Sequence, residues 1–125
     1  MSADPSPGAE RRILVVEDEY LIAEYITVTL EDLGYVVVGP APTVPAAIAT
    51  IASERMDAVL LDANLAGTSS APIAAELADR GIPFVVVTGY GTLDLATDAL
   101  QSAPRINKPF TPADIAAILA KLLTP

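Results

Sequence analysis

Four short apolar runs in this chain each stop on residues able to do chemistry, and that repetition constrains the fold more than any other feature. Ile13-Leu14-Val15-Val16 leads into Glu17-Asp18, Val59-Leu60-Leu61 into Asp62, Val85-Val86-Val87 into Thr88, and Ile106-Asn107 into Lys108-Pro109. Apolar runs of this length without polar alternation are the signature of strands covered on both faces. Laid side by side in one sheet, they bring carboxylates, a hydroxyl and an ammonium to a single edge. Such an edge suits a divalent cation and a phosphoryl group.

Between the runs the periodicity is helical. From Glu19 to Leu33, the residues Leu21, Ile22, Tyr25, Ile26, Leu30 and Leu33 predict one buried helical face, stopped by Gly34. Tyr35 to Val38 reads as a second strand. Thr43 to Ala52 reads as a short helix with Val44, Ala47, Ile48 and Ile51 inward and Pro45 in its first turn. Ala58 to Leu61 is the third strand, followed by a loop from Ala63 to Ser69. The next helix is predicted from Ser70, with Pro72 in its first turn, Ile73, Leu77 and Ala78 inward, and Gly81 as its stop. Ile82 to Val87 is the fourth strand. Gly91 to Gln101 admits only a short, weakly capped fourth helix on Leu93, Ala96 and Leu100, and Arg105 to Asn107 is a brief fifth strand. The last helix is capped by Thr111, opened by Pro112 and buried through Ile115, Ile118, Leu119 and Leu122.

Strands interleaved with helices imply an α/β fold, a parallel sheet with helices on both faces. Right-handed crossovers place the C-terminal ends of all strands at one edge, where such sheets bind ligands. The 125 residues fit one domain, predicted over residues 12–125 after a polar tail at 1–11 that lacks the apolar core of a signal peptide.

Composition removes several function classes. With no cysteine and no histidine, disulfides, thiolate metal sites, the usual zinc sites and serine–histidine catalysis are excluded. Seven basic against sixteen acidic residues, a formal charge of −9, speaks against non-specific binding of nucleic acid. No apolar stretch reaches membrane-spanning length. A cytoplasmic protein that selects partners through a local patch is the expectation.

Glu17, Asp18 and Asp62 brought together repel one another unless a cation compensates, and magnesium, which favours hard oxygen ligands, is the natural one. Taken alone, Glu17 and Asp18 could be solvated loop acids like Glu19; the adjoining buried strand and the matching Asp62 favour a site. Asp62 is the best nucleophile, able to attack a phosphoryl donor and form an aspartyl phosphate. The metal and Lys108 would offset charge on the transferring oxygens, Thr88 would donate its hydroxyl to one of them, and Gly89 lets the backbone approach. Thr88 alone could be a strand-end residue, and Lys108 alone could cover the sheet edge with its stem. The constellation is specific where its members are not.

These residues resemble the receiver domain of bacterial two-component response regulators, and the resemblance covers nearly the whole chain. Ile13-Leu14-Val15-Val16-Glu17-Asp18-Glu19 is similar to the family's opening acidic motif, Asp62 falls at the phosphoacceptor position, Thr88 at the switch hydroxyl, and Lys108-Pro109-Phe110 at the closing signature. The resemblance implies a flavodoxin-like (βα)5 three-layer fold with a five-stranded parallel sheet of order 2-1-3-4-5. It further implies that Asp18, Asp62 and the Asn64 backbone carbonyl ligate Mg2+, that Glu17 assists through a metal-bound water, and that the Lys108–Pro109 peptide is cis.

The chain departs from the family pattern in places. Ala66 stands before Gly67 where proline is common, which predicts a less rigid loop. Arg105 stands where the family usually has an aromatic residue that swings with phosphorylation, so the usual threonine–aromatic coupling cannot operate. Thr88-Gly89-Tyr90-Gly91 resembles an alphaproteobacterial receiver subgroup named for a Phe-Ala-Thr-Gly motif, although this chain has Val86-Val87-Thr88-Gly89. The bulky Tyr90, two residues beyond Thr88, suggests slow loss of phosphate.

The resemblance implies a phospho-accepting single-domain response regulator, a self-modifying signal and not a metabolic enzyme. Its donor would be a phosphohistidine on a sensor histidine kinase or a histidine phosphotransfer protein. Its output would be a protein contact, to a downstream target or a second copy, through the 91–101 segment, the Arg105 strand and the last helix, with Leu93, Leu95 and Arg105 as candidate contacts; alternatively it drains phosphate from the pathway. Two other readings stand beside it. One is a non-phosphorylated adaptor of the same fold. The other is a small magnesium-dependent phosphatase, which would need a general acid two residues beyond the nucleophile, where this chain has Asn64.

Overall fold

In the computed structural model, which describes residues 11–89, 100 and 102–124, the apolar runs form one parallel sheet. Its strands are β1 (Arg12–Val16), β2 (Val36–Ala41), β3 (Ala58–Asp62), β6 (Phe84–Thr88) and β7 (Arg105–Asn107), in the order β2-β1-β3-β6-β7. The short β4 (Asn64–Leu65) and β5 (Thr68–Ser69) form a separate antiparallel hairpin. The helices are α1 (Tyr20–Asp32), α2 (Val44–Ser53), α3 (Ala71–Arg80) and α4 (Pro112–Leu122). This is the flavodoxin-like order expected for the five main strands.

The unbroken hydrophobicity of the strands follows from their coverage. Successive side chains alternate between faces. Leu14, Val16, Val59 and Leu61 join Ala47, Ile51, Ile73 and Leu77 of α2 and α3 in one buried cluster. Ile13, Val15, Leu60 and Val87 join Ile26, Leu30, Ile115 and Leu119 of α1 and α4 in the other. Neither face could tolerate polar alternation, so the central strands carry none.

Local signals set the helix ends. Thr43 caps α2 by accepting from the Ala46 amide. Thr111 and Asp114 exchange hydrogen bonds across the first turn of α4 in a reciprocal capping box. Gly81 ends α3 in the left-handed conformation.

The structure corrects four sequence expectations. The loop from Ala63 to Ser69 contains the β4–β5 hairpin, turned by Ala66 (φ 53°) and Gly67 (φ 90°). The second strand runs past Val38 to Ala41, because Gly39 at φ +87° lets the backbone shift register against β1 and continue. In α1 and its C-cap, Leu21 is 79% exposed, Leu33 41% and Tyr25 40%, while the inward positions are Ala23, Ile26, Thr29 and Leu30; the face that packs on the sheet is narrower than the helical period implies, and these three residues lie beyond its margin. In α3, Ala74 takes the inward place expected of Ala78, which lies exposed in the last turn. The predicted helix between Gly91 and Gln101, with Leu93 and Leu95, lies outside the described residues except for Leu100, which is fully buried.

Candidate functional site

Parallel pairing brings the C-terminal ends of β1, β3, β6 and β7 to one edge. Val16 pairs with Leu61, Asp62 with Val87 and Thr88 with Asn107, so Glu17, Asp62, Thr88 and Lys108 emerge together. Glu17, Asp62 and Thr88 are buried at 2%, 5% and 4% exposure, which for the two acids is unusual and a sign that the site holds them.

Carboxylate oxygens of Glu17, Asp18 and Asp62 lie within 4.8 Å of one another. Among the described residues one ammonium faces them: Lys108 Nζ is 3.2 Å from Asp62 Oδ2, 3.6 Å from Glu17 Oε1 and 3.8 Å from Glu19 Oε1. The Asn64 amide donates to Asp62 Oδ1 at 3.0 Å, and the Glu19 amide to Glu17 Oε2 at 3.2 Å. The backbone holds the frame. Glu17 N donates to Ala41 O at 3.1 Å, and Lys108 N donates to Thr88 O at 2.7 Å.

The electrostatics are those of a site short of positive charge. Burial raises the Glu17 carboxyl to about 8, reinforced by hydrogen bonding to Asp62 and by its charge, against the smaller pulls of the Glu19 amide and Lys108. For Lys108, burial works against the charged form, but the charges of Asp62 and Glu17 outweigh it and the ammonium is held above its ordinary range. Glu17 Oε1 is buried without a hydrogen-bond partner. Hard oxygen donors, excess negative charge and an orphaned buried carboxylate oxygen together fit a divalent cation.

The other predicted residues fall around this centre. Asn64 begins β4, and its side-chain oxygen accepts from Gly67 N at 2.7 Å. Ser70 donates to Ala63 O through both its amide (3.2 Å) and its hydroxyl (3.1 Å). Hydrogen bonds thus close the turn at Ala66-Gly67, where the resemblance leads one to expect a proline. The Lys108–Pro109 peptide is cis. Gly89 and Pro109 line an apolar hollow of about 440 Å³ with Leu21, Ile22, Tyr25 and Phe110; Tyr25 and Phe110 hold its wall through a ring contact at 5.8 Å and a hydrogen bond from the Tyr25 hydroxyl to Phe110 O at 3.2 Å. Arg105 is exposed on β7 and, with Ile118 and Lys121 of α4, borders a second hollow of about 450 Å³. Tyr90 lies outside the described residues.

Two participants were not singled out from sequence. Glu19, read as a solvated acid, faces Lys108. Asn107 accepts a hydrogen bond from the Thr88 hydroxyl at 2.8 Å; the signal was its place one residue before Lys108, opposite Thr88 in register.

Known proteins agree with this geometry. The sequence model described as the response regulator receiver domain matches residues 13–120. The chain is 36% identical over 115 residues to the phyllosphere-induced regulator PhyR of Methylorubrum extorquens, covering 89% of this chain and 43% of that protein. It spans about half the length of the curated relatives it matches, 43% for PhyR and 57% for the transcriptional regulatory protein PdtaR of Mycobacterium tuberculosis. Among solved structures it is similar to SdrG from Sphingomonas melonis Fr1, with 43% identity, a TM-score of 0.79 and coverage of 93% and 98% of the two chains. It also resembles the receiver domain of the sensor histidine kinase PA1611 of Pseudomonas aeruginosa PAO1, at 25% identity, TM-score 0.79 and coverage of 91% and 98%, a structure with magnesium coordinated in the active-site cleft.

Proposed function

The chain belongs to the response regulator receiver domain family, and from that membership we propose that Asp62 is its phosphoacceptor, taking a phosphoryl group from a phosphohistidine on a sensor histidine kinase or a histidine phosphotransfer protein. Receiver chemistry is phospho-accepting signalling that the domain catalyses on itself, not turnover of a metabolite. The observation that carries the assignment is Asp62 itself. It is a buried carboxylate at the end of a central strand, 3.2 Å from an ammonium and within 4.8 Å of two further carboxylates.

In the proposed step, an Asp62 carboxylate oxygen forms a bond to phosphorus as the phosphorus–nitrogen bond to the donor imidazole breaks, and the electron pair leaves with the imidazole. Lys108 offsets charge on the transferring oxygens. Glu17, Asp18, Asp62 and the Asn64 carbonyl would hold Mg2+, with Glu17 reaching it through a water; the ion would neutralise charge on donor and acceptor alike. Thr88 offers its hydroxyl, and Gly89 its amide, to the acquired phosphoryl oxygens.

Finer features belong to the same reading. The Thr88-Gly89-Tyr90-Gly91 sequence and the compact segment before Lys108 are what support the Phe-Ala-Thr-Gly subgroup. Tyr90 would shield the aspartyl phosphate from water, so an unchanged self-hydrolysis rate in Tyr90→Ala would remove that role. The output would pass to a protein partner or a second copy through the 91–101 segment, β7 and α4.

Intact-mass measurement after incubation with magnesium and phosphoramidate tests the assignment. A gain of about 80 Da, one phosphoryl group, is expected in the unaltered chain and not in Asp62→Asn. No magnesium-dependent gain, where a control receiver is labelled, would instead favour an adaptor that binds its partner unphosphorylated.

A further inference from the structure

The Thr88 hydroxyl, buried at the sheet edge beside Asp62, already has an occupation. Its Oγ1 donates to Asn107 Oδ1 at 2.8 Å, and the two residues are direct partners across the parallel β6–β7 ladder. The Lys108 amide, next in sequence, donates to the Thr88 carbonyl at 2.7 Å. The pairing therefore fixes Asn107 opposite Thr88. A threonine hydroxyl carries one proton and can donate it to one acceptor at full strength.

We propose that Asn107 is a positioning residue that holds the Thr88 hydroxyl in its resting orientation, and that a phosphoryl group on Asp62 competes with Asn107 for the same proton. The proposal rests on the receiver reading above and adds to it the resting partner of the switch hydroxyl. When the hydroxyl turns to a phosphoryl oxygen, the Asn107 carboxamide loses its donor. Asn107 is exposed on the edge strand and borders the hollow shared with Arg105, Ile118 and Lys121. The change thus reaches the surface in a chain that has arginine, not an aromatic ring, at position 105.

The expected effect is that of one neutral hydrogen bond, roughly 2- to 10-fold in the equilibrium. Beryllofluoride with magnesium, a phosphoryl mimic, is the probe, titrated by NMR. Asn107→Val should bind it roughly 2- to 10-fold more tightly than the unaltered chain, and the same substitution should have no effect in a Thr88→Val background. Without beryllofluoride, the three-bond couplings that read the Thr88 χ1 angle should show one rotamer in the unaltered chain and in Asn107→Asp, which keeps an oxygen acceptor, and averaging in Asn107→Val. Unchanged or weaker affinity in Asn107→Val, or an equal gain in the Thr88→Val background, would overturn the proposal while the receiver reading stands. An unaltered chain that takes up no beryllofluoride would overturn both.

Discussion

Lys108 Nζ and Asp62 Oδ2 are 46 residues apart in sequence and 3.2 Å apart in space. The contact joins β3 to the loop after β7 across the intervening β6, and Lys108 is the sole ammonium facing the carboxylate cluster among the described residues. Removing it leaves Glu17 and Asp62 facing one another with no ammonium opposite them among the described residues.

Lys108→Ala is accordingly expected to lower stability in magnesium-free buffer by about 1–3 kcal/mol, below the cost for a fully buried pair because the lysine retains some solvent contact. Added magnesium should then raise the melting temperature more in the variant than in the parent. Thermal melts with and without the ion check this, and equal magnesium shifts would contradict it.

Glu17 predicts an inverted pH response for the metal-free chain. Folded, its carboxyl keeps its proton up to about 8; unfolded, it ionises near its ordinary 4.5. Across that window the folded state binds more protons, so this residue makes stability fall as pH rises. Urea midpoints measured through the window should decline, and Glu17→Gln should flatten the slope. An identical slope in the variant would count against it.

Gly39 sits where a side chain has no room. A Cβ there would lie 2.9 Å from Ala41 N and 3.2 Å from Val15 O, both backbone atoms, at a φ of +87°. Gly39→Ala should cost about 1–3 kcal/mol. It should also weaken magnesium binding, because Ala41 O anchors the Glu17 amide. Denaturation and cation titration of the same variant test the two effects together.

The sheet divides the core, so damage on its two sides should be independent. Leu77 and Leu119 are both fully buried, in opposite clusters. Each Leu→Ala change should cost about 2–5 kcal/mol, and the double variant should equal their sum within about 0.5 kcal/mol. Chemical denaturation supplies all three values.

The sheet was legible in the sequence because burial on both faces leaves an uninterrupted apolar run, and the edge was legible because each run ends on a polar residue. Glu17, Asp18, Asp62, Thr88 and Lys108 were found that way, and all five gather at the strand ends. Period alone misled at α1. Leu21 and Tyr25 share the helical spacing of Ile26 and Leu30, yet both stay exposed and line an apolar hollow, where Tyr25 packs on Phe110. The β4–β5 hairpin was hidden because its turn puts Ala66 in a left-handed conformation that alanine does not advertise. Asn107 was hidden for a different reason. Its significance comes from being opposite Thr88, a relation of register and not of composition.

The β4–β5 hairpin bears on what ligand arrival must do. Its turn is closed by Asn64, Gly67 and Ser70 through their own hydrogen bonds, so the wall beside Asp62 stands before any ion or phosphoryl group comes. The freedom a slack loop would surrender on binding was surrendered when the chain folded. Calorimetry of cation binding should therefore show a heat-capacity change near zero, the mark of an association that orders no segment.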